Sequence, residues 1–455
     1  MEKQHRVSLV WENKQQEKPD RLESKNIEQQ YIFAHPHQGG ELFPHPFASA
    51  AAGQANFRGR LIQGDNLEAL QLLVGEGYRE QIDLIYIDPP YLSRKKYSSK
   101  IKLGDKDRHQ NLERLVFVDE GEENLDNYLD ELYTRIKLMK ELLSPRGSIF
   151  VHLDWHVSHY VKIILDEIFG SRNFINEIVW CYGGGSGSKR HFHRKHDLIF
   201  WYGKSADYIF NPQRRPYSKG TVERGLTRVK GGKYRLHREG ALMQDWWIDI
   251  NKILSPTAYE NLKFPTQKPE ALLERLISTA SHPHSLVADF YSGSGTTAAA
   301  CEKLNRQWLA CDNSPLATSI SIQRMVRINS RPFVWHVLNR VESRFSHNSL
   351  EVKFNNQVHN NEYSRIDVDI ISYTPDQKTG LGTSFQTQIQ FWELDPDYRG
   401  DIFRSQLQIM RDKMKWDESL PTSASVLIPR RESGAVAIRV HDIFGDRCMR
   451  VFQYG

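Results

Sequence analysis

Cysteine is scarce, with 4 in 455 residues. Cys181, Cys301, Cys311 and Cys448 show no C-x-x-C pairing, so no metal site and no disulfide framework is expected, and the thiols read as buried and reduced. Long apolar runs are missing too. Nothing approaches the ~20 residues that a membrane span needs. Met1-Glu2-Lys3-Gln4-His5-Arg6 leads into no signal-peptide core, so a cytoplasmic protein without a membrane partner is expected. A Gly-x4-Gly-Lys-Ser/Thr motif is absent, and Gly183-Gly184-Gly185-Ser186-Gly187-Ser188-Lys189 lacks its ending and reads as a flexible loop. ATPase chemistry of the P-loop type is therefore not expected from this chain.

Charge of one sign is scarce overall but not locally. The net charge is +5, yet Ser186 to Arg238 holds 14 Lys/Arg against three acids (Asp197, Asp207 and Glu223), a local +11, while 331–455 has 16 of each. A block this basic suggests a polyanionic partner. A solvated basic face would also account for it, but Tyr217, Tyr234, Gly220, Gly225, Gly231 and Gly232 are interleaved and Trp246 and Trp247 follow, which favours a binding surface. Little periodicity runs through the block, as in a recognition region carried on loops.

The rest of the chain is organised around Asp83-Leu84-Ile85-Tyr86-Ile87-Asp88-Pro89-Pro90-Tyr91. Leu84 to Ile87 is unbroken and apolar, as in a buried parallel strand. The tandem prolines end the ladder because neither has an N–H to donate. Asp88, the carbonyls of Pro89 and Pro90, and the Tyr91 ring are then held at a strand's carboxyl end, where open α/β sheets bind ligands. Two acceptors and a stacking ring suit methylation of an amino group on a flat base. Asp-Pro-Pro alone also fits an ordinary strand-to-loop turn.

A second motif strengthens the functional reading. Leu286-Val287-Ala288-Asp289-Phe290 is a strand, and Tyr291-Ser292-Gly293-Ser294-Gly295-Thr296-Thr297-Ala298 matches G-x-G-x-x-G/A with Ala298 last. The next strand, Trp308 to Cys311, ends in Asp312, placed to accept hydrogen bonds from two ribose hydroxyls. Strand, turn, helix, strand and acid together signal a nucleoside cofactor, with Gly293 and Gly295 letting backbone approach it.

Elsewhere the chain alternates strand and helix. Arg60 to Asn66 reads as a strand ending in Gly64-Asp65, where Asp65 serves either as a helix N-cap or as a ligand contact. Lys95, Lys96, Lys100, Lys102 and Lys106 fall in a polar stretch after the catalytic tip and read as a mobile loop over a phosphate backbone. Leu125, Leu129, Leu132, Ile136, Met139 and Leu143 form a helical face that Ser144-Pro145-Arg146-Gly147 stops. His152 and His196 border strands and read as structural. Residues 1–56 read as a loosely ordered arm.

The whole pattern resembles the amino-group DNA methyltransferases that use S-adenosylmethionine, in the permuted beta order. Asp88-Pro89-Pro90-Tyr91 comes first, then the basic segment, then Phe264-Pro265-Thr266-Gln267-Lys268-Pro269 and the Asp289-to-Thr297 turn. Similarity covers about residues 60–330 and is nearest to modification subunits of type III restriction systems and their solitary relatives. One departure is Leu92, where such proteins often have Asn, which bears on the loop beyond.

The resemblance implies a doubly wound, Rossmann-like α/β methyltransferase domain at 57–330. It also implies an inserted target-recognition region at 186–250 and a small α+β or β-rich domain at 331–455 that contacts another subunit. It further implies that Asp289, Phe290, Gly293 and Gly295 line the cofactor, that Asp312 holds its ribose, that Asp65 meets its adenine, and that Thr266 and Lys268 lie near its methionine end. Asp88, Pro89, Pro90 and Tyr91 would be catalytic, and Lys189, Arg190, Arg214, Arg215, Arg224 and Arg228 would meet DNA. Asp before Pro-Pro-Tyr goes mostly with N6-adenine and Ser with N4-cytosine, so adenine is expected. The expected partner is double-stranded DNA near a prokaryotic nucleoid, with a homodimer and a separate restriction subunit as further partners. Two rivals explain less: a nicotinamide dehydrogenase leaves Asp88 to Tyr91 without a role, and a non-catalytic specificity subunit leaves the cofactor site without one.

Overall fold

A computed structural model describes residues 7–11, 14, 27–34, 57–103, 110–119, 124–184, 189–226, 236–253, 255, 258–338, 350–375, 384–411 and 420–455. The first part of the chain runs β1 (Glu28–Ile32), β2 (Gly59–Gln63), α1 (Asn66–Gly75), β3 (Ile82–Ile87), a hairpin of β4 (Lys96–Leu103) and β5 (Gln110–Val118), and α2 (Leu125–Leu142). Then come β6 (Leu143–Leu153), α3 (Ser158–Phe169), β7 (Phe174–Cys181) and β8 (His196–Gly203). The basic region contributes β9 (Arg214–Arg215), α4 (Lys219–Leu226), β10 (Ala241–Leu242) and β11 (Trp246–Trp247). After it follow α5 (Glu270–Ala280), β12 (Leu286–Asp289), α6 (Thr296–Lys303), β13 (Gln307–Asp312), α7 (Pro315–Arg327) and β14 (Phe333–Val337).

These strands build one eleven-stranded sheet in the order β11-β7-β8-β6-β3-β12-β13-β2-β14-β1 and, at the far edge, β18 (Phe403–Ser405). From β6 to β14 all neighbours are parallel. The physical reason is visible in β3: Leu84 and Tyr86 enter the core under α5, α6 and α7, while Ile85 and Ile87 enter the opposite core with α1, α2 and α3. Both faces are covered, so each residue of the run is buried and no polar alternation survives. Helix α2 presents Leu129, Leu132, Ile136 and Met139 to that second core, all essentially without exposure. Each contributes about 1.5–3 kcal/mol by burial. Pro145 to Gly147 fall in a register shift between β3 and β6, where a missing N–H is tolerated.

Two expectations are corrected. The arm is not loose throughout: β1 pairs antiparallel with β14 and parallel with β18, and Ile32 and Phe33 are fully buried. Its partners, at 333–337 and 403–405, are far away in sequence, which local composition does not reveal. The stretch after Tyr91 is a β4–β5 hairpin rather than an open loop, with Tyr97 stacked on Phe117 at 4.7 Å; Lys106 lies outside the described residues.

The C-terminal part is β-rich. A sheet of β15 (Leu350–Val358), β16 (Tyr363–Tyr373) and β20 (Ser423–Pro429) shares a core with a sheet of β19 (Leu407–Met410), β17 (Ile389–Asp395), β21 (Gly434–Asp442) and β22 (Arg447–Tyr454). Strand β18 leaves that unit to extend the large sheet, so the two parts are continuous.

Candidate active site and nucleic-acid surface

Strands β3 and β12 are direct neighbours, with Asp289 opposite Tyr86, so the two motif tips emerge side by side. They open into a cavity of about 580 Å³. Asp88, Pro89, Pro90 and Tyr91 line it together with Thr266 and Lys268. Asp65, Asp289, Phe290, Gly293 and Asp312 line it as well. Gly295 does not: it has φ +73°, and a Cβ there would sit 2.8 Å from Ser321 Oγ of α7, so its role is helix packing.

The Asp88 carboxylate accepts hydrogen bonds from the Tyr91 hydroxyl and from Lys268 Nζ. Burial pushes the Tyr91 phenol well above its ordinary range, and the Asp88 charge adds to this, so the hydroxyl stays protonated. The turn beyond is held by a residue that the sequence reading missed. Asp119, at the end of β5, accepts from the backbone N–H of Tyr91 (3.3 Å), Leu92 (2.8 Å) and Ser93 (3.0 Å), and from Ser93 Oγ at 2.6 Å. Leu92 has φ +56°, a left-handed conformation that Asn adopts more readily. Here the Asp119 bonds and burial of the Leu92 side chain hold the strained turn instead.

At the other tip, Asp289 accepts from Tyr291 N (3.0 Å) and Thr297 Oγ1, and burial raises its carboxyl to about 7. Asp312 accepts from Gly293 N at 2.8 Å and Ser314 N at 2.9 Å, and burial raises it to about 6. Neither carboxylate pairs with a cation among the described residues. Ser292 Oγ and Tyr128 Oη are buried, belong to residues that line the same cavity, and have no hydrogen-bond partner among the described residues. Two uncompensated acids and two orphaned hydroxyls call for a ligand rich in N–H and O–H groups. Asp65 proves to be an N-cap, accepting from Leu67 N at 2.8 Å and pairing with Arg135 at 3.2 Å, and it also borders the cavity.

Behind Tyr91 lies a chain of polar groups that leads from buried His152 out to the surface. His152 stacks on the Tyr91 ring at 6.4 Å, faces Tyr86 Oη through Nδ1 at 2.9 Å, and faces Asp197 through Nε2 at 3.3 Å. Burial works against an ionised Asp197, yet His152, Lys268 and Lys252 hold its carboxyl at about 2. Tyr182 donates to Asp197 at 2.7 Å, and Lys252 sits 3.5 Å from the Tyr182 ring centre. His152 is hydrogen-bonded between Tyr86 and Asp197, as expected of a structural residue, and its ring also lies against that of Tyr91.

The basic residues are not equivalent. Lys189 and Arg190 are exposed. Arg214 donates to Gly240 O at 2.8 Å and Arg215 to Gln244 at 2.6 Å, so both secure the β9–β10 pair. Arg224 lies in α4 and Arg228 outside the described residues. Phe192 is 97% exposed in the turn between β7 and β8, and Arg194 stacks on Trp155 at 3.8 Å.

Residues 82–323, more than half of the chain, match the family model described as DNA methylase, N6_N4_Mtase. The type II methyltransferase M.HpaI of Haemophilus parainfluenzae is 30% identical over 56% of this chain and 69% of its own length. The type II methyltransferase M.EcaI of Enterobacter cloacae is 27% identical over 58% and 68%. The type III EcoP15I Mod subunit of Escherichia coli is 30% identical over 33% of this chain and only 25% of its own. Among solved structures, that of the M1.HpyAVI-SAM complex covers 59% of this chain and 98% of its own at 19% identity, with a TM-score of 0.39.

Proposed function

Because the chain belongs to the DNA methylase family, we propose that it transfers a methyl group from S-adenosylmethionine to the N6 amine of an adenine flipped out of duplex DNA. One observation carries the reading. The Asp88 tip and the Asp289 tip share a single cavity, so an amine held by one lies beside a nucleoside cofactor held by the other.

The residues fit that cofactor. Asp312 offers a half-buried carboxylate to a ribose diol, and Ser292 and Tyr128 offer hydroxyls with no partner among the described residues. When bound, S-adenosylmethionine supplies an electrophilic methyl group on a sulfonium. The rest falls to the protein. The amine's lone pair is delocalised into the ring; Asp88 and a carbonyl of Pro89 or Pro90 accept its two N–H bonds and turn the lone pair out of the ring plane. The Asp88 charge stabilises positive charge developing on nitrogen and is placed to accept the proton shed afterwards. A flipped base costs a few kcal/mol, and stacking on Tyr91, backed by His152, returns ~1–3 kcal/mol.

The carboxylate at position 88 supports adenine over cytosine by the resemblance, since either amine suits the acceptors. Digestion of methylated DNA to nucleosides and mass spectrometry tests this, and N4-methylcytosine as the sole product would refute it. Phosphate contacts of the 186–250 region would position the duplex while a minority of side chains read base edges. Pairing of two copies and association with a restriction subunit remain part of the proposal, tested by sedimentation of the chain alone and with a candidate subunit.

A further inference from the structure

The cofactor cavity is not closed by the methyltransferase sheet alone. Phe444, in the turn between β21 and β22 of the C-terminal β-domain, lines it together with Asp312, Pro315 and Leu316. This turn is built to reach that point. Asp442 Oδ1 accepts from Phe444 N at 2.8 Å and Asp446 N at 2.9 Å, while Tyr373 Oη donates to its other oxygen at 3.1 Å. Gly445, at φ +93°, lets the turn lie flat on the start of α7: a Cβ there would come within 3.0 Å of both Pro315 Cβ and Leu316 N. Arg114 of the β4–β5 hairpin donates to Ile443 O, tying the turn to the strands that form another wall of the cavity.

We infer that Phe444 is a cofactor-binding residue, supplied in cis by the C-terminal domain, that packs against the nucleobase of the bound nucleoside. The assignment rests on the methyltransferase reading and deepens it. A ribose held by Asp312 has its base on one carbon and its sulfonium arm on another. The Asp88, Thr266 and Lys268 end takes the arm, which leaves the base for the wall beyond Asp312. Past the polar Asn313 and Ser314, that wall carries the apolar Pro315, Leu316 and Phe444. A flat heterocycle gains most from an aromatic face, and the fold brings one there from outside the family segment. The C-terminal domain is then part of the active site.

Calorimetric titration of the full chain with adenosine and with S-adenosylhomocysteine tests the inference. Phe444→Ala should weaken both by the same factor, roughly tenfold, the order lost with one aromatic–base stack. Phe444→Trp should retain affinity. Phe444→Leu should keep the melting temperature of the native chain yet bind weakly, which separates a missing ring from a disturbed turn. Wild-type affinity in Phe444→Ala would overturn the inference, as would a loss seen for S-adenosylhomocysteine but not for adenosine. Asp312→Ala serves as the control: if that variant binds both ligands normally, the cofactor reading itself fails; if it loses both while Phe444→Ala loses neither, only the role of Phe444 fails.

Discussion

Lys268 Nζ donates to Asp88 Oδ2, joining residues 180 apart in sequence at the floor of one cavity. Tyr91 donates to the other oxygen of the same carboxylate. An ionised carboxylate has about four acceptor sites, so Asp88 is oriented from both sides and still has lone pairs for an incoming amine. The pair is largely enclosed, with side-chain exposures of 11% and 16%. Lys268 offsets part of the carboxylate's charge, and in so enclosed a place what remains acts on a nearby reacting nitrogen more strongly than it would in water.

Replacement of Asp88 by Asn keeps the shape and removes the charge. Single-turnover methyl transfer should fall roughly a hundred- to a thousandfold, as for loss of one preorganised electrostatic partner, while cofactor affinity stays nearly unchanged. Equal losses in turnover and in a calorimetric titration would count against this role.

Asp119→Ala should act on the same step by a different route. Three backbone N–H groups lose their acceptor and the left-handed Leu92 turn loses its brace, so stability should fall by about 1–3 kcal/mol in urea unfolding. Turnover should fall too, and substrate saturation should not restore it. An active Asp119→Ala protein of native stability would show that the turn needs no such anchor.

Burial raises Asp312 from 3.8 to about 6. The folded protein thus holds a proton that the unfolded chain releases. This group's stabilising contribution is fully present below about pH 4 and is lost as pH rises through 6. Ribose hydroxyls donating to the carboxylate favour its ionised form, so cofactor binding near pH 6 should release protons and tighten as pH rises from 5 to 7. Calorimetry in buffers of different ionisation enthalpy reads this directly, and Asp312→Asn should abolish the proton release attributable to this group.

Affinity for DNA should fall with salt at a slope of about −0.9 per phosphate contact. Neutralising exposed Lys189 should flatten the slope without changing the melting temperature. Neutralising Arg214 and Arg215 should instead lower the melting temperature, because their donors hold the β9–β10 pair. An unchanged slope in the first variant would move the phosphate contacts elsewhere.

Local physics made part of this protein legible in its sequence. The apolar run Leu84 to Ile87, the N–H-free Pro89 and Pro90, and the Gly-rich turn between two strands each carry their structure within a few residues, so the strand-end tips and the α/β class could be read directly. Tertiary structure alone decided what surrounds them. Asp119 reaches the Tyr91 turn through a hairpin, and His152 backs the ring from a neighbouring strand. Strand β1 finds β14 across some 300 residues, Gly295 is constrained by Ser321, and Phe444 arrives from another domain. Such contacts are set by how strands order in a sheet and how faces pack. They leave no periodicity or spacing in the chain, because their partners are neighbours only after it has folded.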